Sequence, residues 1–114
     1  MKLSDLSAEE QLALGGLLRL VIRADGAFTE EEEQRVHEIG DDLGGRDALW
    51  KAISDSAQAF PEDADIRAAA AAVSRAEARE LILGVLTGVA AADTIAPSEA
   101  GLIDGLRASW AKLG

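Results

Sequence analysis

The chain has 114 residues and a net charge of −10 at neutral pH, and it contains no cysteine. This length fits one domain over residues 1–114 with a single core, and the missing thiols exclude disulfide bonds, thiolate metal sites and a cysteine nucleophile. The negative charge argues against nucleic acid as a partner, and against an anionic membrane surface, because both repel an acidic protein.

Apolar residues spaced three and four apart predict a chain made of helices, and no segment alternates apolar and polar residues long enough to indicate a strand. The first predicted helix covers about residues 8–23, and Ser7 with Glu10 forms a capping box at its start. Ser74 and Glu77 form another such box. The predicted helices begin near Ala8, Thr29, Asp47, Glu62, Ser74 and Pro97. The expected fold is therefore an all-α, compact domain of about six helices.

The chain also contains an internal repeat. Residues 18–25 align with residues 86–93, and each segment ends in Ala-Asp. Beyond this turn, after the deletion of one residue, the aligned pairs are Glu32 with Glu99, Val36 with Ile103, and Ile39 with Leu106. The repeat predicts two helical hairpins that bury each other's inner faces.

Two predicted helices contain glycines four residues apart, Gly84 with Gly88 and Gly101 with Gly105. In a membrane this spacing brings helices together, but the longest apolar stretch, residues 81–92, is too short to cross a bilayer. We therefore expect no direct membrane insertion, and we expect both glycine pairs to lie where two buried helices cross closely.

The first Ala-Asp turn resembles the second half of an EF-hand calcium loop, with Gly26 and Glu32 at the expected positions. In that register, Val21 and Arg23 occupy positions where calcium requires oxygen ligands. An ordinary EF-hand is therefore excluded. The second turn departs further, because Thr94 replaces the glycine.

Two interpretations account for the carboxylates of these turns. As structural groups, Thr29 and Glu32 would form a capping box at the start of their helix, the Glu residues around Glu32 would interact with the positive end of that helix, and the Asp residues would accept backbone N–H bonds in their turns. As ligands, they would come together where the turns of two hairpins related by a pseudo-twofold axis converge. The cluster would then consist of Asp25, Glu32, Asp93 and Glu99, a set of oxygen donors suited to a divalent cation.

The remaining side chains indicate no catalytic activity. His37 is the only histidine, the spacing suggests no Ser, Thr or Lys partner for it, and we expect it on a solvated helix position. The sequence has no phosphate-binding glycine loop with lysine and no nucleophile-elbow motif. Trp50 and Trp110 lie on apolar stripes and are expected in the core.

Two segments, residues 22–32 and 90–99, resemble the TerB-like family, which is named for a tellurite-resistance protein and uses Ala-Asp-Gly with a downstream Glu twice. With the surrounding helices, the resemblance covers most of residues 8–112. It implies an all-helical fold and a bacterial, cytoplasmic protein of a stress-response system that acts by binding. The N-terminus, which shows no signal-peptide pattern, fits the cytoplasmic expectation.

The resemblance further implies a protein partner, which can be membrane-associated, and a divalent cation at Asp25, Glu32, Asp93 and Glu99. The one-residue deletion in the second turn weakens the match at Asp93 in particular. The alternative is a purely structural or oligomerising helical domain without a ligand, with the glycine-spaced helices and Trp110 as its candidate contact surface. The sequence does not indicate the oligomeric state.

Overall fold

A computed structural model of the chain describes residues 2–24, 30–45, 47–91 and 97–113. Within these ranges the chain forms a short 3-10 helix, Leu3–Asp5, followed by six α-helices, and no strand. The α-helices are α1 (Ala8–Ala24), α2 (Glu30–Asp42), α3 (Ala48–Ala59), α4 (Asp63–Ala72), α5 (Ala76–Ala90) and α6 (Pro97–Leu113). The predicted all-α fold of about six helices is confirmed.

Helix α1 is the centre of the fold and packs against α3, α4, α5 and α6. Its buried side chains include Leu14, Leu18 and Val21, which are fully inaccessible to solvent. Gly15 allows α3 to approach closely, because a Cβ atom at this position would lie 2.2 Å from the carbonyl oxygen of Ala52. The backbone contact between α1 and α3 therefore requires a glycine on α1.

The capping box at the start of α1 is confirmed. The backbone N–H of Ser7 donates to Glu10 Oε1 (2.8 Å), and the backbone N–H of Glu10 donates to Ser7 Oγ (3.2 Å). The box predicted at Ser74 and Glu77 is not formed, because the N-cap of α5 lies one residue after Ser74. Arg75 is its N-cap residue, without a side-chain cap bond.

The internal repeat is reflected in burial. Aligned positions before and after the turns are buried in both halves, as the paired apolar stripes require. These pairs are Leu18 with Leu86, Val21 with Val89, and Val36 with Ile103. In addition, α2 packs against α5, so the two halves share one core.

The prediction that both glycine pairs lie at helix crossings is wrong, except at Gly88. A Cβ atom on Gly88 would meet Ile39 Cδ1 at 3.0 Å, whereas one on Gly84, Gly101 or Gly105 would meet no atom of the described residues within 4 Å. The reason is the direction of each helix's apolar face. Helix α6 turns Ile103 and Trp110 to the core, which places its two glycines on an exposed surface.

None of the helices in the described ranges combines the length and apolar character needed to cross a membrane.

Candidate functional site

Of the four carboxylates predicted to form a cation site, the structure describes the side chain of Glu32. Asp25, Asp93 and the side chain of Glu99 lie outside the described residues. The backbone nevertheless shows that Glu32 is the third residue of α2 and Glu99 the third residue of α6. The repeat therefore places both glutamates at the same position of a helical first turn.

Glu32 differs from the other glutamates at the start of α2. Its residue surface is 1% exposed, whereas Glu30, Glu31 and Glu33 are exposed. The positive N-terminal end of the helix favours carboxylates on the surface as well as in the interior, so it does not by itself explain why this one is buried. Burial of a carboxylate is costly unless polar or charged groups compensate for lost hydration. Glu10, which holds the same third position in α1 and belongs to a capping box, is likewise buried, at 7%. The burial of Glu32 therefore fits a capping box with Thr29, which lies outside the described residues, as well as a cation ligand.

The described residues contain no group of three or more His, Cys, Asp or Glu side chains placed to hold a metal ion. Asp25 follows directly after the last residue of α1, and Asp93 lies three residues beyond the end of α5. The donor type, carboxylate oxygen, is the type that Mg²⁺, Ca²⁺ and Mn²⁺ prefer.

The outer surface of α2 is strongly acidic. All of its exposed side chains are polar, and Arg35 is the only cation among them. Arg35 Nε lies 3.8 Å from Glu38 Oε2. The exposed acidic side chains are Glu30, Glu31, Glu33, Glu38, Asp41 and Asp42. We call these six residues the α2 acidic face.

A second buried carboxylate, Glu10, belongs to an ion pair that sequence reasoning missed. Arg75 Nε and Nη2 donate to Glu10 Oε2 and Oε1 at 3.0 and 2.6 Å, and Nη2 also donates to the carbonyl oxygen of Asp5 at 2.8 Å. The hydrogen bonds from Arg75 outweigh the effect of burial and lower the pKa of Glu10 to about 2. The capping box indicated Glu10, but its partner is 65 positions away in sequence.

His37, expected on a solvated position, is half-buried and lies beside Trp50. The indole Nε1–H of Trp50 points to the imidazole, 3.1 Å from His37 Nε2 and 3.2 Å from Nδ1. The imidazole thus takes part in the contact between α2 and α3. Trp50 is itself half-buried and packs against the edge of the core, whereas Trp110 is buried as expected.

Sequence reasoning also missed an open groove between α4 and α6, with α1 beneath it. Its volume is about 570 Å³, and its lining includes Leu17, Leu20, Arg67, Gly105 and Leu106. The exposed glycine spacing of α6 was the signal that could have indicated it. We call this feature the α4–α6 groove.

The sequence was also compared with known protein families. A family model described as "Tellurite resistance protein TerB" matches residues 11–107, from the first turn of α1 to the middle of α6. Comparisons with curated proteins and with solved structures gave no match.

Proposed function

Because the chain belongs to the TerB family, we propose that it is a binding module of a bacterial, cytoplasmic stress-response system of the tellurite-resistance type. In this proposal the protein has no catalytic activity. It acts through a protein partner and a divalent cation.

The cation part of the proposal rests mainly on the burial of Glu32. The carboxylate of Glu32 is 1% exposed and lies in a helical first turn that the repeat duplicates at Glu99, and a bound cation would compensate for the hydration that it loses on burial. Asp25, Glu32, Asp93 and Glu99 would hold the ion through carboxylate oxygens. The ion would supply positive charge that offsets these carboxylates and would thereby tie the ends of the helices together.

Cation binding is tested by the midpoint of thermal unfolding, with Ca²⁺, Mg²⁺, Mn²⁺ or Zn²⁺ added separately and compared with chelator. An ion that binds only the native state must raise the midpoint. We expect at least one of these ions to do so in the wild type, and the rise to be lost in Glu32→Gln. Glu33→Gln, which removes an exposed neighbouring charge, is the matched control and should keep the rise.

Comparing each variant with its own chelator sample removes any direct effect of the substitution on stability. If no ion at millimolar concentration raises the wild-type midpoint, or if Glu32→Gln responds as the wild type does, the cation part of the proposal is wrong.

The partner part of the proposal assigns docking to the α2 acidic face. Six exposed carboxylates on one helix would attract a basic surface and accelerate its association, and this effect would weaken with salt. A photo-crosslinking residue at position 31 or 38 in the producing bacterium should join the protein to a specific Lys- and Arg-rich protein. A crosslinker at Gln58 on α3, which is also exposed, is the control. Equal products from all three positions would contradict specific docking at α2.

A further inference from the structure

The α4–α6 groove has features that the proposed function does not use. Leu17 and Leu20 from α1 line it, and the half-buried side chain of Leu106 from α6 adds to its apolar surface. Its volume of about 570 Å³ falls within the range of clefts that bind ligands or peptide side chains. The α2 acidic face contributes none of the lining residues.

The glycines of α6 are unexplained by the packing of the described residues. Gly101 and Gly105 lie inside a 17-residue helix, where glycine is less favourable than alanine. At Gly15 the fold itself requires a glycine, because a Cβ atom would collide with the backbone of α3. At Gly101 and Gly105 a Cβ atom would meet none of the described atoms within 4 Å. Both glycines line the groove, where they permit another backbone to approach α6 closely.

The second feature of the groove is the charge of the side chains that line it. Among the described side chains, Arg67 is the only ionisable one that lines the groove and no carboxylate does, although the chain has 21 acidic and 11 basic residues. Every other arginine in the described ranges makes a hydrogen bond or ion pair with a protein group. Arg67 makes none with the described residues, and it is exposed. The groove thus combines leucine side chains with polar surface, and its wall carries a cation that pairs with none of the described residues.

We propose that the α4–α6 groove binds an amphipathic α-helix of a partner protein. The apolar ridge of that helix packs on Leu20 and Leu106, its backbone approaches α6 at Gly105, and a carboxylate beside the ridge pairs with Arg67. This is the helix-in-groove mode of recognition. A second copy of the chain fits less well, because its own acidic helix, α2, exposes only polar side chains.

The test uses two defined peptides and the full chain. The acidic probe is an acetylated helical peptide with leucines three and four residues apart and glutamates flanking them, and the basic probe has lysines in place of the glutamates. Binding is read from the backbone amide resonances of Leu17, Leu20, Gly101 and Gly105 in NMR titrations. This local readout is necessary because the basic probe will also be attracted to α2.

We expect saturable shifts at these groove amides with the acidic probe and binding about tenfold weaker with the basic probe. Arg67→Glu should reverse the preference. Arg35→Glu, on α2, is the control and should leave the preference in place. Gly105→Leu should weaken acidic-probe binding at least about tenfold by filling the groove.

Gly84→Leu is the matched control for Gly105→Leu, since Gly84 is also an exposed helical glycine with open space around it. It should bind like the wild type. Circular dichroism checks that both leucine variants keep the fold.

Three results would each overturn the proposal. They are the absence of saturable shifts at the groove amides with the acidic probe, equal affinity for the two probes at these amides, and a wild-type dimer in sedimentation experiments that Gly105→Leu dissociates. The last result would make a second copy the occupant of the groove. None of these results depends on the cation experiment, so the two proposals can fail separately.

Discussion

Arg75, the N-cap residue of α5, holds the carboxylate of Glu10 in the first turn of α1 by two hydrogen bonds, of 3.0 and 2.6 Å. The same carboxylate accepts the backbone N–H of Ser7 as part of the capping box. Glu10 therefore joins a local cap to a contact between distant parts of the chain. Its side chain is 9% exposed, whereas that of Arg75 is 46% exposed.

This pair predicts a specific dependence of stability on pH. The pKa of Glu10 is lowered to about 2 in the folded protein, mainly by the Arg75 hydrogen bonds, whereas an unfolded Glu has a pKa of about 4.3. The unfolded state therefore binds the proton more readily. The contribution of Glu10 to stability is complete above about pH 5 and is lost as the pH falls toward about 2.

Urea unfolding between pH 6 and pH 2 measures this effect. Arg75→Gln should lower the free energy of unfolding at pH 6 and make its decrease in acid shallower than in the wild type, because the main cause of the lowered pKa is gone. Lys51→Gln removes an exposed cation that pairs with Asp55 within α3 and is the control. An acid profile of Arg75→Gln that parallels the wild type would show that Arg75 does not set this pKa.

The glycines of the helices should respond in opposite directions to substitution by alanine. Gly15→Ala places a methyl group against the backbone carbonyl of Ala52 and should lower the free energy of unfolding by about 3 kcal/mol. Gly84→Ala faces open space and should raise it by about 0.5–1 kcal/mol through helix propensity. Denaturant titration measures both values, and destabilisation by Gly84→Ala would mean that α5 packs more closely there than the structure shows.

Much of the fold could be predicted because its signals are local. The Ser7–Glu10 box joins residues three apart, and the apolar periodicity that marks the helices extends over one or two turns. The repeat then adds information across the chain, since Val36 and Ile103 align in sequence and are both buried. Each of these patterns is contained in a segment or in the comparison of two segments.

The features that the sequence did not predict depend on which faces of the helices pack against each other. The glycine spacing of α6 was clear, but only the packing of Ile103 and Trp110 into the core decides that Gly101 and Gly105 face outward. The Arg75–Glu10 pair was missed for the same reason. For the candidate cation site, the sequence predicted four carboxylates. The structure describes the side chain of one of them, Glu32, and shows that it is buried, which the sequence did not predict.

Trp110 provides a last test, because it joins α6 to two other helices. Its indole Nε1–H donates to the carbonyl oxygen of Ala70 on α4 at 2.9 Å, and the guanidinium of Arg79 on α5 lies 5.7 Å from the ring centroid. Trp110→Phe removes the hydrogen bond and part of the buried ring, and should lower the free energy of unfolding by about 2 kcal/mol.

Trp50→Phe is the matched control, since Trp50 is half-buried at the edge of the core and its loss should cost less. Fluorescence distinguishes the two indoles in the same samples. Emission from Trp50→Phe, which retains the buried Trp110, should lie at shorter wavelength than emission from Trp110→Phe. Equal stability losses with coincident spectra would contradict the placement of Trp110 in the core, and with it the packing of α6 that leaves the α4–α6 groove open.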